Sequence, residues 1–381
     1  MERGTDAASH DVEEGFLGER GIPAKRTNAY TVATASQPSQ SASMAINEDG
    51  TDYSYFSSVN FGSSGESLNM LVDTGAANTW VMGSDCKSKP CLAHNTFGKA
   101  NSGTLQVTNT PWNVTYGSGQ VSGVVINDTV SMAGLTLPLA FGSASVTSND
   151  FMTYPMDGIL GLGRAKSNVM GVPTVMEALD SAHLLKANVL GVNLQRNVDG
   201  ATDGEVNFGM VDPSKFTGDL SYTKSVSSDG LWEVPVDDAG VDDRGCKFTG
   251  KTAIIDTGTS FVLMPPDDAK KLLTQIPKAE PSGETFQIPC ATTAAIQFTF
   301  SGVTYNVSAK DYLGKTVDGG NMCASNIIGR QTFGANQWLM GDAFLKNVYT
   351  VFDFTQNRIG KLLRHASFVG DERLTTIQVL A

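Results

Sequence analysis

Two short apolar runs in this chain end in the same three residues. Asn69-Met70-Leu71-Val72 leads into Asp73-Thr74-Gly75, and Thr252-Ala253-Ile254-Ile255 leads into Asp256-Thr257-Gly258. Each run reads as a short buried strand, and each delivers a carboxylate to a turn that glycine permits. A buried carboxylate is costly unless it is paired or hydrogen-bonded, so both aspartates need a reason to be there. One Asp-Thr-Gly alone says little, since average residue usage produces it in roughly one chain of ten this long. Two copies at matching points of a repeated layout say much more.

The repeat extends beyond the motif. Both halves run through strands, Asp-Thr-Gly, a helix, further strands and an apolar pair closed by glycine, which is Ile159-Leu160-Gly161 in the first and Leu339-Met340-Gly341 in the second. From Asp73 to Gly161 is 88 positions, and from Asp256 to Gly341 is 85. Such agreement predicts a duplicated lobe. Residues 189–194 are apolar and 196–205 are rich in Asn, Asp and Gly before Val206-Asn207-Phe208-Gly209 resumes strand character, which sets the expected boundary between lobes 27–195 and 196–363.

Strands are predicted at 53–61, 68–72, 79–82, 121–130 and 135–141, from β-branched and aromatic runs separated by Gly, Ser and Asn. Residues 112–121 read as a hairpin, because Gly117 and Gly119 flank Ser118 and permit a tight reversal beside Tyr116. Two helices are predicted. Val175, Ala178, Leu179 and Ala182 share one face behind a Thr174 cap, and Ala269, Leu272, Leu273 and Ile276 follow Pro265-Pro266-Asp267-Asp268. Both are expected to be structural.

Composition narrows the class. Of 381 residues 40% are hydrophobic and only 17% charged, with 40 glycines, which fits a folded chain rich in strands and turns. A net charge of -12 argues against nucleic-acid partners, which need an excess of Lys and Arg. No window approaches a membrane span. Five cysteines, at 86, 91, 246, 290 and 323, and three sequons, at Asn113, Asn127 and Asn306, lean towards an oxidising secretory compartment, with Cys246 left over. Residues 1–25 are polar and lack the apolar core of a signal peptide; the dibasic Lys25-Arg26 suggests a shortened prosegment over 1–26 and a mature start near Thr27.

The chemistry follows from the pair. Two carboxylates within hydrogen-bonding distance cannot both ionise, so they hold one proton between them across an acidic window. The ionised member takes a proton from water while the protonated member donates to a peptide carbonyl, which is amide hydrolysis without a covalent intermediate. Thr74 and Thr257 supply hydroxyls to brace the turns. Competing chemistries find little support. His10, His94, His183 and His365 form no His-Glu-x-x-His, Cys86 and Cys91 lack companion zinc ligands, and Gly117-Ser118-Gly119 is only a fragment of a nucleophile elbow. No metal or cofactor is expected.

From about Tyr53 to Lys361 the chain resembles the pepsin-like aspartic proteases, and most of all their secreted fungal members. The resemblance rests on Val72-Asp73-Thr74-Gly75 with Asn78-Thr79-Trp80-Val81, on Thr115-Tyr116-Gly117-Ser118-Gly119 with Asp128-Thr129-Val130, and on Asp157-Gly158-Ile159-Leu160-Gly161-Leu162-Gly163. It extends to Ile255-Asp256-Thr257-Gly258-Thr259-Ser260 and to Leu339-Met340-Gly341-Asp342 with Tyr349-Thr350-Val351-Phe352-Asp353. It implies an all-β bilobal fold with a few short helices and a cleft between pseudo-twofold lobes. Asp73 and Asp256 would form the catalytic dyad on its floor. Tyr116, hydrogen-bonded towards Trp80, would cover the substrate from a flap. Gly75, Gly117, Ser118, Gly258, Thr259 and Ser260 would meet the substrate backbone, and Leu71, Ile159 and Phe151 would line an apolar pocket before the scissile bond. The disulfides implied are Cys86–Cys91 and Cys290–Cys323. The partners implied are protein and peptide substrates and pepstatin-type inhibitors, the state a monomer, and the location extracellular or vacuolar.

Three features depart from that pattern. The family usually carries Ser after the first Asp-Thr-Gly, and this chain carries Ala76; Cys246 stands without a partner; and the tail 364–381 matches nothing in the family. Two rival readings are a catalytically silent relative that keeps the fold for binding, and a duplicated nucleotide-binding enzyme. The first typically loses an Asp or the flap Tyr, and here Asp73, Asp256 and Tyr116 are intact. The second needs more helix–strand alternation and a glycine-rich adenosine segment, and neither is found.

Overall fold

The computed structural model describes residues 30–117 and 119–364. The expected prosegment, its processing site, Ser118 and residues 365–381 lie outside the described residues.

The first apolar run, Glu66–Asp73, sits in the middle of its sheet. It pairs antiparallel with Tyr55–Phe61 and parallel with Gly158–Gly161; the latter lies antiparallel to Trp80–Met82, which runs parallel to Leu135–Thr147. The second run, Lys251–Ile255, repeats the arrangement. It pairs antiparallel with Glu233–Val236 and parallel with Gln337–Met340, which lies antiparallel to Val262–Met264, itself parallel to Ile327–Gly329. Order and sense agree at all four pairings, so the duplication seen in the residues is a duplication of topology. Both runs are buried as they approach their aspartates, as expected of strands covered on both faces.

A six-stranded sheet takes strands from both halves in the order Ser43–Ala45, Glu205–Phe208, Val189–Asn193, Val348–Asp353, Arg358–Arg364 and Phe216–Lys224. The expected boundary after residue 195 therefore falls between two strands of a shared sheet, not in a free linker. Arg364, assigned above to the tail, is the last residue of Arg358–Arg364 and its guanidinium pairs with Asp203. The result is an all-β bilobal fold with five short helices among the described residues.

The helix Val175–Ser181 begins on a capping box: Thr174 accepts from the Glu177 N–H at 3.2 Å and the Glu177 carboxylate accepts from the Thr174 N–H at 2.9 Å. Pro266–Leu273 starts on proline and two aspartates and buries Ala269, Leu272 and Leu273. Ala182 and Ile276 lie just past the ends of these helices. Disulfides join Cys86 to Cys91 and Cys290 to Cys323, and Cys246 is a buried free thiol. No helix among the described residues is long and apolar enough to cross a membrane.

Candidate active site

The two Asp-Thr-Gly turns meet between the lobes. Asp73 Oδ1 accepts from the N–H groups of Gly75 at 2.9 Å and Ala76 at 2.8 Å; Asp256 Oδ1 accepts from the Gly258 N–H at 2.8 Å. The Gly75 N–H also reaches Asp256 Oδ1 at 3.1 Å, so one donor spans both carboxylates. Both glycines are required by this approach. A Cβ at Gly75 would stand 2.5 Å from Asp256 Oδ1, and one at Gly258 would stand 2.5 Å from the Asp73 carboxyl carbon. Each motif's glycine thus makes room for the other motif's aspartate.

The threonines of the motifs lock the turns. Thr74 Oγ1 donates to the Ile255 carbonyl at 3.3 Å and Thr257 Oγ1 to the Val72 carbonyl at 2.6 Å.

Above the pair, Gln106–Tyr116 and Gly119–Met132 form the flap hairpin, in register to Tyr116 opposite Gly119. Trp80 Nε1 donates to the Tyr116 hydroxyl at 2.9 Å. The cleft encloses about 680 Å³, within the usual range for a ligand site. Leu71, Gly75, Tyr116, Gly117, Ile159, Gly258, Thr259 and Ser260 line it with Asp73 and Asp256. Trp80 is fully buried behind Tyr116 and holds the flap tyrosine in place of contacting the cleft. Phe151 lies edge-on to both Trp80 and Tyr116 and forms part of the wall.

A family model described as eukaryotic aspartyl protease matches residues 54–362. The chain belongs to the eukaryotic aspartyl protease family. It is 49% identical over 340 residues to the probable aspartic-type endopeptidase CTSD of Arthroderma benhamiae, covering 89% of this chain and 67% of that protein. The aspartic-type endopeptidase ctsD of Aspergillus fumigatus is 46% identical over 89% of this chain and 72% of its own length. Cathepsin E of Rattus norvegicus is 33% identical over 81% of this chain and 79% of its own length. The protein is an aspartic peptidase, a hydrolase.

The protease's two aspartates are not held alike. The Thr259 hydroxyl donates to Asp256 Oδ2 at 2.6 Å, whereas the equivalent place beside Asp73 is the methyl of Ala76. Burial, reinforced by the Asp256 charge, holds the Asp73 carboxyl well above the usual carboxylate range; the N–H groups of Ala76 and Gly75 oppose this only in part. A third carboxyl, Asp342, lines the same cleft and is also pushed up by burial, with Lys346 opposing and the charge of Asp256 adding to the rise.

Several wall residues of the protease escaped motif reading. Tyr53, Phe261, Leu263, Arg330 and Phe333 line the cleft from the second lobe and the start of the first. Tyr53 and Phe261 pack at 5.5 Å between ring centres, and Tyr53 donates to Asn326 Oδ1 at 3.1 Å. Phe261 follows the second motif directly, so its place by the site was legible. Arg330 and Phe333 come from a loop with no periodicity or motif to mark them.

Proposed function

We propose that this aspartic peptidase is an endopeptidase in which Asp73 and Asp256 share one proton and activate water at acidic pH. The observation that carries the reading is the Gly75 N–H in contact with both carboxylates, which fixes their spacing for a bridging proton or water. The raised Asp73 carboxyl is the proton carrier. Asp256, steadied by the Thr259 hydroxyl, takes a proton from water as the water oxygen attacks the peptide carbonyl carbon. Asp73 gives its proton to the carbonyl oxygen, producing a tetrahedral diol. Collapse of the diol re-forms the carbonyl, breaks the C–N bond and transfers a proton to the leaving amine.

Tyr116 closes the site with an apolar ring and a tethered hydroxyl, which orders an extended peptide beneath the flap. Leu71, Phe151 and Ile159, all buried in the wall, favour a large apolar side chain before the scissile bond. The lobes correspond to 27–195 and 196–363, and the enzyme works as a pepstatin-sensitive monomer in an extracellular or vacuolar setting. Two disulfides support that setting.

The test is cleavage of a denatured protein at acid pH, with and without pepstatin, alongside Asp73→Asn. Pepstatin-blocked cleavage that the variant lacks is expected. Absence of cleavage by the unaltered chain, or full activity in Asp73→Asn, overturns the reading and leaves the silent binding protein in its place.

A further inference from the structure

Phe151 stands in the short 3₁₀ turn Asn149–Thr153. Its main-chain carbonyls are held from outside. His94 Nε2 lies 3.1 Å from the Phe151 carbonyl, and since a carbonyl only accepts, that nitrogen carries the proton. The Tyr30 hydroxyl donates to the Met152 carbonyl, and its ring stacks on the His94 imidazole at 5.3 Å and 10°. His94 is fully buried, with Nδ1 3.7 Å from Asp157 Oδ1. Asp157 is anchored in turn by the N–H groups of Asn69 and Asn95, each at 2.9 Å, so the stack rests on the strand that ends at Asp73. The turn is also tied to the flap. Ser148 and Gln120 exchange hydrogen bonds at 3.0 and 3.1 Å, and Phe151 lies edge-on to Tyr116.

We propose that Tyr30 and His94 are positioning residues for substrate binding: stacked together, they hold the Asn149–Thr153 turn so that Phe151 walls the apolar pocket and backs the flap tyrosine. The inference rests on the endopeptidase reading above. Neither residue touches the cleft, and each acts through Phe151. Tyr30 reaches this place from the start of the described chain, far in sequence from everything it supports. A pocket wall propped in this way selects side chains that fill it. Large apolar groups lose binding when the prop is removed, and small ones do not, because they never reach the wall.

The experiment compares the unaltered enzyme with Tyr30→Ala, Tyr30→Phe, Phe151→Ala and the double variant Tyr30→Ala/Phe151→Ala. The substrates are peptides carrying Phe, Leu or Ala before the scissile bond, with thermal unfolding of each variant as a control for folding. For Tyr30→Ala we expect KM to rise about fivefold or more on the Phe and Leu peptides, less than about twofold on the Ala peptide, and kcat to change by less than about twofold. Tyr30→Phe keeps the stacking and recovers most of the loss. In the Phe151→Ala background the effect of Tyr30→Ala shrinks below about twofold, because the two act as one unit. An unchanged KM, an equal rise on all three peptides, or a full effect in the Phe151→Ala background overturns the proposal while leaving the dyad intact. Failure of the unaltered enzyme to cleave any peptide overturns both.

Discussion

Thr74 and Thr257 exchange hydrogen bonds across the floor of the cleft. Each backbone N–H donates to the other's hydroxyl at 3.1 Å, although 183 residues separate them. Each hydroxyl passes its own proton to a carbonyl of the opposite lobe, Ile255 or Val72. The two aspartate turns are therefore riveted to each other by side chains as well as by sheet packing. Thr257→Val removes the Val72 bond and leaves the Thr74 N–H buried without a partner. The expected loss is about 2–3 kcal/mol, with a lower kcat from a loosened dyad, read by thermal unfolding and by turnover on one peptide. A Tm unchanged from the parent would show that the rivet bears no load.

Asp73→Asn separates chemistry from stability. Loss of the proton carrier should cut kcat by about a thousandfold or more. Stability should move the other way. The folded-state pKa of Asp73 is raised, so the native state binds more protons than the unfolded one from the ordinary aspartate value up to the folded value. Stability accordingly falls as pH rises through that window, and the penalty is complete above it. Unfolding curves from pH 4 to 7 should show a decline in Tm for the parent and a shallower one for the variant.

Ala76→Ser restores a hydroxyl beside Asp73, matching the place Thr259 occupies beside Asp256. A donor to the ionised carboxylate favours the charged form, so the Asp73 carboxyl should fall and the activity optimum should move towards acid by about half to one pH unit. Superimposable pH–rate profiles for the two proteins would count against this account of Ala76.

Lys361 is buried, with its Nζ lacking a hydrogen-bond partner among the described residues and standing 4.0 Å from the centre of the Phe300 ring. Burial pulls its ammonium down to about 7 from the usual lysine value. The unfolded chain then holds the extra proton between about 7 and the usual value, so stability rises with pH across that window and the full cost is felt below it. Lys361→Met should therefore raise Tm, and raise it more at pH 5 than at pH 9. A uniform shift at both pH values would indicate a packing effect alone.

Much of this was legible without coordinates. The strand ends at Asp73 and Asp256, the Thr174 cap, the proline start at Pro266 and the hairpin at Tyr116 depend on neighbours a few residues away, and short-range backbone preferences dictate them. The duplicated topology was legible too, because equal spacing of equal motifs leaves little other way to close two sheets. That the two aspartates meet was expected; the contacts that hold and surround them were not. The Gly75 N–H that spans both carboxylates, the crossed threonines, Trp80 withdrawn behind Tyr116, the Tyr30–His94 stack and the Arg330 and Phe333 rim all join residues remote in the chain. Their positions depend on how two lobes and a shared sheet pack, and no local pattern encodes that distance. The amino-acid sequence decided which groups exist, which strand ends carry them and that two acids form a pair, while tertiary packing alone decided which donors hold that pair and which walls enclose it, because those contacts join residues remote in the chain.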